Sequence, residues 1–566
     1  MRDITEYTAQ EWDVVVIGGG ATGSGVLRDL AMRGLKPLLL EQRDLAHGTS
    51  SRFHGLLHSG ARYAVSDAEA AEECIAENRI LRAIGRHCVE NTEGLFVLTP
   101  EDREADPTFE ERWVDACARC GIEAEPIPVE QALQIEPNLS PDILAAYRVP
   151  DAAVDGFRLV WQNVLSARRH GAAFRTYTEV RGIVREGGHV VGVEAADART
   201  GERAVIPCRF VVNATGSWAG NLARMAGLDH INIRPDRGAL IAFNHRFSGR
   251  VVNRLHKASD GDIFVPHGSI TILGTTSRKT DRPDDFEPTT EEVLRLLDIG
   301  RKVFPRIDSY RILRAFVGTR PLYAPPEAGG GEGRGVSRNF VVLDHERDGL
   351  AGMLTICGGK LTTYRVMAER TADLVCAKLG VNAVCRTAEE ALVPEISPEL
   401  HKRAAACFPP QGLELAISRL GDLLEATVQR MERDPWKKAL LCECELVTFA
   451  EFEQIAQEST SHSLNDIRRR TRMGMGTCQG AFCSVRGIGA LAALRAAEDN
   501  ASSQTDRGNQ PDPADDYTDP AVLLRRFQQE RWHGIRPALW GGALREAELT
   551  RSIYGATLNI DGGDCE

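Results

Sequence analysis

Gly18, Gly20 and Gly23 stand in the order G-x-G-x-x-G directly after the apolar run Asp13-Val-Val-Val-Ile17, and the helix-period segment GVLRDLAMRG follows. That sequence of strand, glycine turn and helix is a phosphate cradle: Gly18 permits the tight turn, Gly20 lets a pyrophosphate approach the backbone, and Gly23 lets helix and strand pack closely. The positive end of the helix then faces the phosphates. A second apolar run, Leu35-Lys-Pro-Leu-Leu-Leu40, ends at Glu41, the place for an acid that accepts ribose hydroxyls and disfavours a 2′-phosphate. The motif does not separate FAD from NAD. The segment from His47 to Tyr63, rich in Gly, Ser and His, starts no regular helix, and such a loop suits a flavin edge.

Thiols are the second chemical signal. Cys442 and Cys444 form one close pair and, after 33 residues, Cys478 and Cys483 form another. Two such pairs bind zinc or a [2Fe–2S] cluster, and ligand identity alone does not separate them. Arg468, Arg469, Arg470 and Arg472 lead into Met473-Gly-Met-Gly-Thr-Cys478, a pattern expected to bring positive charge and backbone N–H donors to an anionic cluster and raise its potential. Cys117 and Cys120 sit in a helical pattern with no second pair nearby and read as structural.

The elements that must position these groups fit several domains, as 566 residues require. Hydrophobic residues at 43% and charged residues at 26% suit a buried core. A net charge of -12 repels a polyphosphate backbone, so nucleic acid is not an expected partner. No stretch reaches the roughly 18 apolar residues that span a bilayer, and MRDITEYTAQEWD lacks the order of a signal peptide. The expectation is a soluble, cytosolic chain with reduced thiols. Arg209-Phe-Val-Val-Asn213-Ala-Thr-Gly216 is another strand with a glycine turn, and Ala239–Phe243, Asp262–Val265 and Ser269–Leu273 read as an antiparallel sheet. Met353–Ile356, then Gly358-Gly359-Lys360-Leu361-Thr362-Thr363, then a helical pattern repeat strand, glycine turn and helix, and are expected to line the flavin.

The stretches GGGATGSGVLRDLAMRGL, FHGLLHSGARYAVSDAEAAEECIAENRIL, RILRAFVGTRPL, FVVLDHERDGLAGMLTICGGKLTTYR and RRRTRMGMGTCQGAFC together resemble the FAD-dependent glycerol-3-phosphate dehydrogenases, and among them the flavin-bearing A chains of the anaerobic, quinone-linked enzymes. The resemblance runs over essentially the whole chain. It implies an α/β fold, an FAD-binding Rossmann-like domain with an inserted antiparallel substrate domain, and a C-terminal helical [2Fe–2S] domain of the bacterioferritin-associated ferredoxin type. The corresponding division is residues 10–395, with the substrate sheet inserted at about 90–150 and 225–320. A helical connector at 396–435, a cluster-binding domain at 436–496, a polar linker at 497–520 and a tail at 521–566 follow. Trp532, Ile535 and Trp540 suggest that the tail buries against the main body or a partner.

On the same resemblance, Gln42, Thr49, Ser50, Gly216, Gly358, Gly359, Leu361 and Thr362 join Gly18, Gly20, Gly23 and Glu41 around FAD. Arg62, Tyr63, Arg320, Arg338 and Lys360 hold the substrate, sn-glycerol 3-phosphate, since guanidinium forks suit a phosphate dianion. Oxidising a secondary alcohol also needs a base, for which His is the common choice. The single-subunit relatives carry a His after a K-G-S run, where this chain reads Arg237-Gly238-Ala239-Leu240. His58, then His54, or Lys360 are the substitutes. The implied partners are a B subunit, a membrane-anchoring iron–sulfur C subunit, and through them menaquinone or ubiquinone, placing the chain peripherally on the inner face of the membrane. Rival readings are an oxidase of 2-hydroxy or amino acids on the same fold, and a non-catalytic electron-transfer or sensor subunit.

Overall fold

The computed structural model of the chain describes residues 4–324, 339–501 and 518–558. Strand Trp12–Ile17 lies between Pro37–Leu40 and Arg203–Asn213, parallel to both. Ala173–Arg175 adds outside Pro37–Leu40, and Met353–Gly358 outside Arg203–Asn213, again parallel. Val14, Val15 and Val16 are fully buried, which explains an unbroken apolar run: both faces of a parallel sheet are covered. Helix Ala21–Met32 packs on one face between helices Gly156–Arg169 and Tyr364–Leu379. A meander, Thr178–Glu186 and His189–Asp197, continues antiparallel from the first half of Arg203–Asn213.

A second, nine-stranded sheet draws on two stretches of chain. Gly94–Leu98, Glu125–Ile127 and Ala145–Val149 supply one edge, and strands between Ile233 and Tyr323 supply the rest. The two stretches meet where Val251–Arg254 runs parallel to Gly94–Leu98. The long antiparallel pair Ile233–Phe243 and Ile312–Tyr323 carries the site-facing residues. Phe243, Phe264, Leu273 and Val317 bury against Val293, Leu296 and Leu297 of helix Thr290–Gly300. That helix starts at a capping box between Thr289 and Glu292.

Three helices, Pro398–Ala405, Leu413–Leu420 and Leu424–Arg433, lead to the cysteine segment. There the hairpin Leu440–Cys442 with Val447–Thr448 precedes helices Phe449–Ala456, Leu464–Thr471 and Cys483–Ala501. Its apolar side chains continue the main core: Leu441, Val447, Phe452 and Ile467 share one buried cluster with Val14, Leu27 and Trp161. Ion pairs fasten the same contact. Asp44, 1% exposed and three residues beyond Glu41, accepts from Arg470 at 2.7 Å and from Arg469 at 3.0 Å.

Three expectations change here. Arg468, Arg469, Arg470 and Arg472 do not point their charge at the thiols; each is paired with carboxylates, Glu530, Asp44 and Asp466, Asp44, and Asp155 with Glu445 respectively. A desolvated guanidinium needs a partner, and these acids lie nearest. The tail packs through Leu523, Leu524 and Phe527 of helix Pro520–Ile535, while Trp532 and Trp540 are exposed. The expected linker is also shorter, because helix Cys483–Ala501 runs through its first residues and Pro520 already opens a helix; residues 502–517 lie outside the described ones.

Asp44→Asn leaves two buried guanidinium groups short of a carboxylate and is expected to destabilise the fold by about 3 kcal/mol. Urea unfolding followed by tryptophan fluorescence measures this. An unchanged midpoint would show that the pairs do not hold the two parts together.

Candidate functional site

The glycine turn, the loop after Glu41 and the glycine turn at Gly358 surround one cavity of about 520 Å³. Gly18 has φ +110°, and a Cβ there would lie 2.6 Å from the Ala214 carbonyl oxygen. At Gly23 a Cβ would lie 1.9 Å from the Gly18 carbonyl oxygen. Gly23 therefore serves the close packing of helix on strand and does not line the cavity. Glu41 accepts from the Gly19 N–H at 2.7 Å and the Arg43 N–H at 2.9 Å, so the acid also braces the glycine turn. Burial pushes its carboxyl above the usual range, against the pull of those two donors. Ser50 Oγ accepts from the Ala21 N–H at 2.8 Å at the helix start, and Thr49 Oγ1 donates to the Thr319 carbonyl at 2.6 Å. Gln42, Gly216, Gly358, Gly359 and Leu361 line the same cavity.

The other end of the cavity is cationic. Arg62, Arg320 and Lys360 reach it together with Tyr63, His54 and His58. Arg320 donates to Asp236 at 2.5 Å and to the Thr276 carbonyl at 3.0 Å, and contacts Thr275 Oγ1. Arg62 forms a buried pair with Asp262, with two donations at 2.8 Å. Burial alone would raise the Asp262 carboxyl, but Arg62 and His256 outweigh it and hold the group well below the usual range. The Lys360 ammonium lies 4.6 Å from the Tyr63 ring centroid, a cation–π contact. His58 is 6% exposed, with its ring 5.7 Å from that of His54 and 5.2 Å from that of Tyr63. Its backbone N–H donates to Thr362 Oγ1 at 3.1 Å. Thr362 is itself buried and is not among the residues that line the cavity. Arg338 lies outside the described residues.

Residues 13–365 match the model of the FAD dependent oxidoreductase family. The chain belongs to this family. It is 45% identical over 552 residues to the A chain of the anaerobic glycerol-3-phosphate dehydrogenase of Escherichia coli strain K12, covering 96% of each chain. It is 42% identical to the corresponding chain of the Haemophilus influenzae enzyme, covering 99% of this chain and 95% of the relative. Among solved structures, the glycerol-3-phosphate dehydrogenase of Bacillus halodurans complexed with FAD shares the fold, with TM-score 0.66 and 22% identity over 95% of this chain and 98% of that one. This FAD-dependent oxidoreductase has Leu240 on the cavity wall, buried and apolar, at the position where the single-subunit pattern leads one to expect a His. Arg237 is drawn away from the cavity by Asp285, Glu292 and the Glu287 carbonyl.

The four cysteines gather at a second place. Cys442 lies within hydrogen-bonding reach of Cys483, Cys483 of Cys478, and Cys478 of Cys444. Backbone N–H groups near these sulfurs, of Gly474 and Glu445 at Cys442, of Gly480 and Phe482 at Cys478 and of Cys478 at Cys444, favour their thiolate forms. The donation from Cys483 does most to lower the Cys478 thiol, to about 5. Among the described residues no three His, Cys, Asp or Glu side chains converge as ligands of one metal ion. Cys117 and Cys120 are buried in the substrate-sheet region, and burial pushes Cys117 up to about 12.

Sequence reasoning named His47, Arg52 and Phe53 only as parts of one flavin-edge loop, and it missed Trp218 and Gly318 on the cavity wall. Gly318 carried a usable signal: it stands between motif residues, and a Cβ there would lie 2.1 Å from the Arg52 carbonyl oxygen, so strand and flavin loop touch at that point. Nothing in sequence spacing marks Arg52 itself.

Gly23→Ala must push helix Ala21–Met32 off the Gly18 carbonyl and so spoil the phosphate cradle. The expected outcome is protein purified with less than about a tenth of its flavin, read from the 450 nm absorbance per chain. Wild-type flavin content would remove the packing role assigned to Gly23.

Proposed function

We propose that this chain oxidises sn-glycerol 3-phosphate to dihydroxyacetone phosphate with FAD, and passes the electrons through a [2Fe–2S] cluster and partner subunits to a membrane quinone. The observation that carries the reading is the placing of Arg62, Arg320 and Lys360 beside His58 in the cavity that also holds the dinucleotide turn. Three cations suit a phosphate dianion better than a single carboxylate, which favours this substrate over a 2-hydroxy or amino acid. The names of the nearly full-length relatives agree. When bound, FAD supplies a two-electron acceptor for the hydride leaving C2 of the substrate.

The side chains do the rest. Arg320, with Asp236 fixing its fork, and Lys360, over Tyr63, hold the phosphate; Arg62 is oriented by Asp262. The proton on the C2 hydroxyl goes to a base as the carbonyl forms. His54 suits that role less than His58, because its Nδ1 lone pair accepts from the Leu56 N–H at 3.1 Å and its neutral ring therefore carries the proton on Nε2. We assign the base to His58, which Thr362 positions through the backbone.

The donor set at the cysteines suits an iron–sulfur cluster: four thiols in linked pairs, with backbone N–H groups close to several of them to stabilise an anionic centre. The fold around them is then a bacterioferritin-associated ferredoxin-like module. When bound, the cluster supplies one-electron steps toward the acceptor. The relatives are named as one lettered component of a larger enzyme, which supports partner subunits. The partners proposed here are a B subunit, joined by a membrane-anchoring iron–sulfur C subunit, which reach menaquinone or ubiquinone. Among the described residues no helix is long and apolar enough to cross a membrane, so attachment to its inner face would come through those partners.

Anaerobic glycerol 3-phosphate should bleach the flavin absorbance, while lactate and free glycerol should not. His58→Gln should slow the bleaching about 100-fold or more with flavin retained, and Arg320→Lys should raise KM about 10-fold or more by losing the fork. Bleaching by lactate but not by the phosphate ester would overturn the substrate.

Cys478→Ser should remove the cluster's visible absorbance and its reduced-state EPR signal, since a hydroxyl rarely replaces a thiolate on iron. Substrate should still bleach the flavin, and transfer to quinone in the assembled enzyme should fail. Wild-type protein holding one zinc and no iron would refute the cluster.

A further inference from the structure

Between the flavin loop and the cysteine segment lies a second cavity of about 140 Å³. His47, Arg52 and Phe53 line both cavities, whereas Arg314, Arg468, Arg469, Arg472, Asp155 and Glu530 line only the smaller one. Five guanidinium groups therefore face two carboxylates. Arg469 is balanced by Asp44 and Asp466, and Arg472 by Asp155 and Glu445. Arg52, Arg314 and Arg468 remain, against Glu530 alone. Arg468 donates to Glu530 at 2.7 Å and Arg314 at 3.3 Å. Arg52 forms no ion pair among the described residues: its Nε donates to the His47 carbonyl at 3.2 Å, and its guanidinium lies 4.1 Å from the Phe286 ring centroid. The Nε atoms of Arg314 and Arg468 are buried with no hydrogen-bond partner among the described groups. Arg531, itself 8% exposed, adds a further guanidinium nearby.

A surplus of two positive charges in so largely buried a place is costly unless something neutralises it. We propose that this cavity binds one phosphate-sized tetrahedral dianion, either the free ion or the phosphoryl group of a small ester, at a site distinct from the substrate end of the flavin cavity. Arg52, Arg314 and Arg468 supply the donors. Glu530, its side chain 30% exposed, is the internal anion with which the ligand shares them. Charge supports the geometry: burial, with neighbouring arginines adding to it, pushes Arg52 down to about 9 and Arg468 to about 10, and a bound dianion reverses that push. The volume admits a phosphate group and excludes a nucleotide.

The test is thermal unfolding of the FAD-loaded protein in inorganic phosphate, with potassium chloride at matched ionic strength as control. The expected rise in Tm is about 2 °C at 10 mM phosphate. Arg314→Gln, which leaves the flavin cavity untouched, should abolish the rise, and Arg320→Lys should keep it. Glu530→Gln removes the competing carboxylate and should reach half its rise at about a tenth of the phosphate concentration, a gain that simple damage to the fold does not produce. Ethyl phosphate, run in parallel, separates the sources: a response to phosphate alone assigns the free ion, and a response to ethyl phosphate assigns an ester. No rise above the chloride control with either probe, an undiminished rise in Arg314→Gln, or an unchanged midpoint in Glu530→Gln would each overturn the site.

Discussion

The carboxylate of Asp44 is the point at which the cysteine segment is joined to the dinucleotide-type fold. It sits in the loop that begins at Glu41 and runs to His54 and His58, and it receives Arg469 and Arg470 from the helix that precedes the thiols. An exposed pair of this kind would contribute little, but these groups are almost wholly buried, so either partner without the other would be a stranded charge. The position of the cysteine segment is therefore fixed relative to the dinucleotide loop and not merely tethered to it. The shared apolar cluster that runs from Val14 to Phe527 has the same effect over a larger area.

Local chemistry was legible in the sequence wherever one short stretch contains all the parts. The turn at Gly18 to Gly23, the acid at Glu41 and the strand and helix around Gly358 need only neighbours in sequence, and at Gly18, Gly23, Gly358 and Gly359 the structure leaves no room for a Cβ. The cations Arg62, Arg320 and Lys360 converge on one cavity from three separate segments, a convergence that spacing alone does not contain. The arginine run at 468–472 shows the opposite case. Its charges read as a field for the thiols, yet partners up to 426 residues away in the chain claim them. Nothing along the sequence shows which carboxylate will lie nearest in space.

Tail and histidines teach a related lesson. Trp532 and Trp540 carry more apolar area than Leu523 or Phe527, but helix phase turns Trp532 outward and puts Phe527 against Gly474 and Gly480, and Trp540, beyond the helix, is exposed as well. In the flavin loop, His54 and His58 look equivalent by type. A single backbone donor, the Leu56 N–H, makes them different by fixing the tautomer of one.

The parallel sheet also sets an order of events in synthesis. Its first strand ends at Ile17 and its central partner at Asn213, but the neighbour that closes it, Met353–Gly358, comes about 140 residues later. At ribosomal speeds that gap is on the order of ten seconds. During that time the end of Arg203–Asn213, from Val211 to Asn213, lacks its neighbour, and Asp44 waits longer still, until Arg470 has emerged. A nascent chain with such an open strand edge is exposed to wrong pairing with its neighbours. The glycine turn is made first and yet becomes a finished binding site among the last.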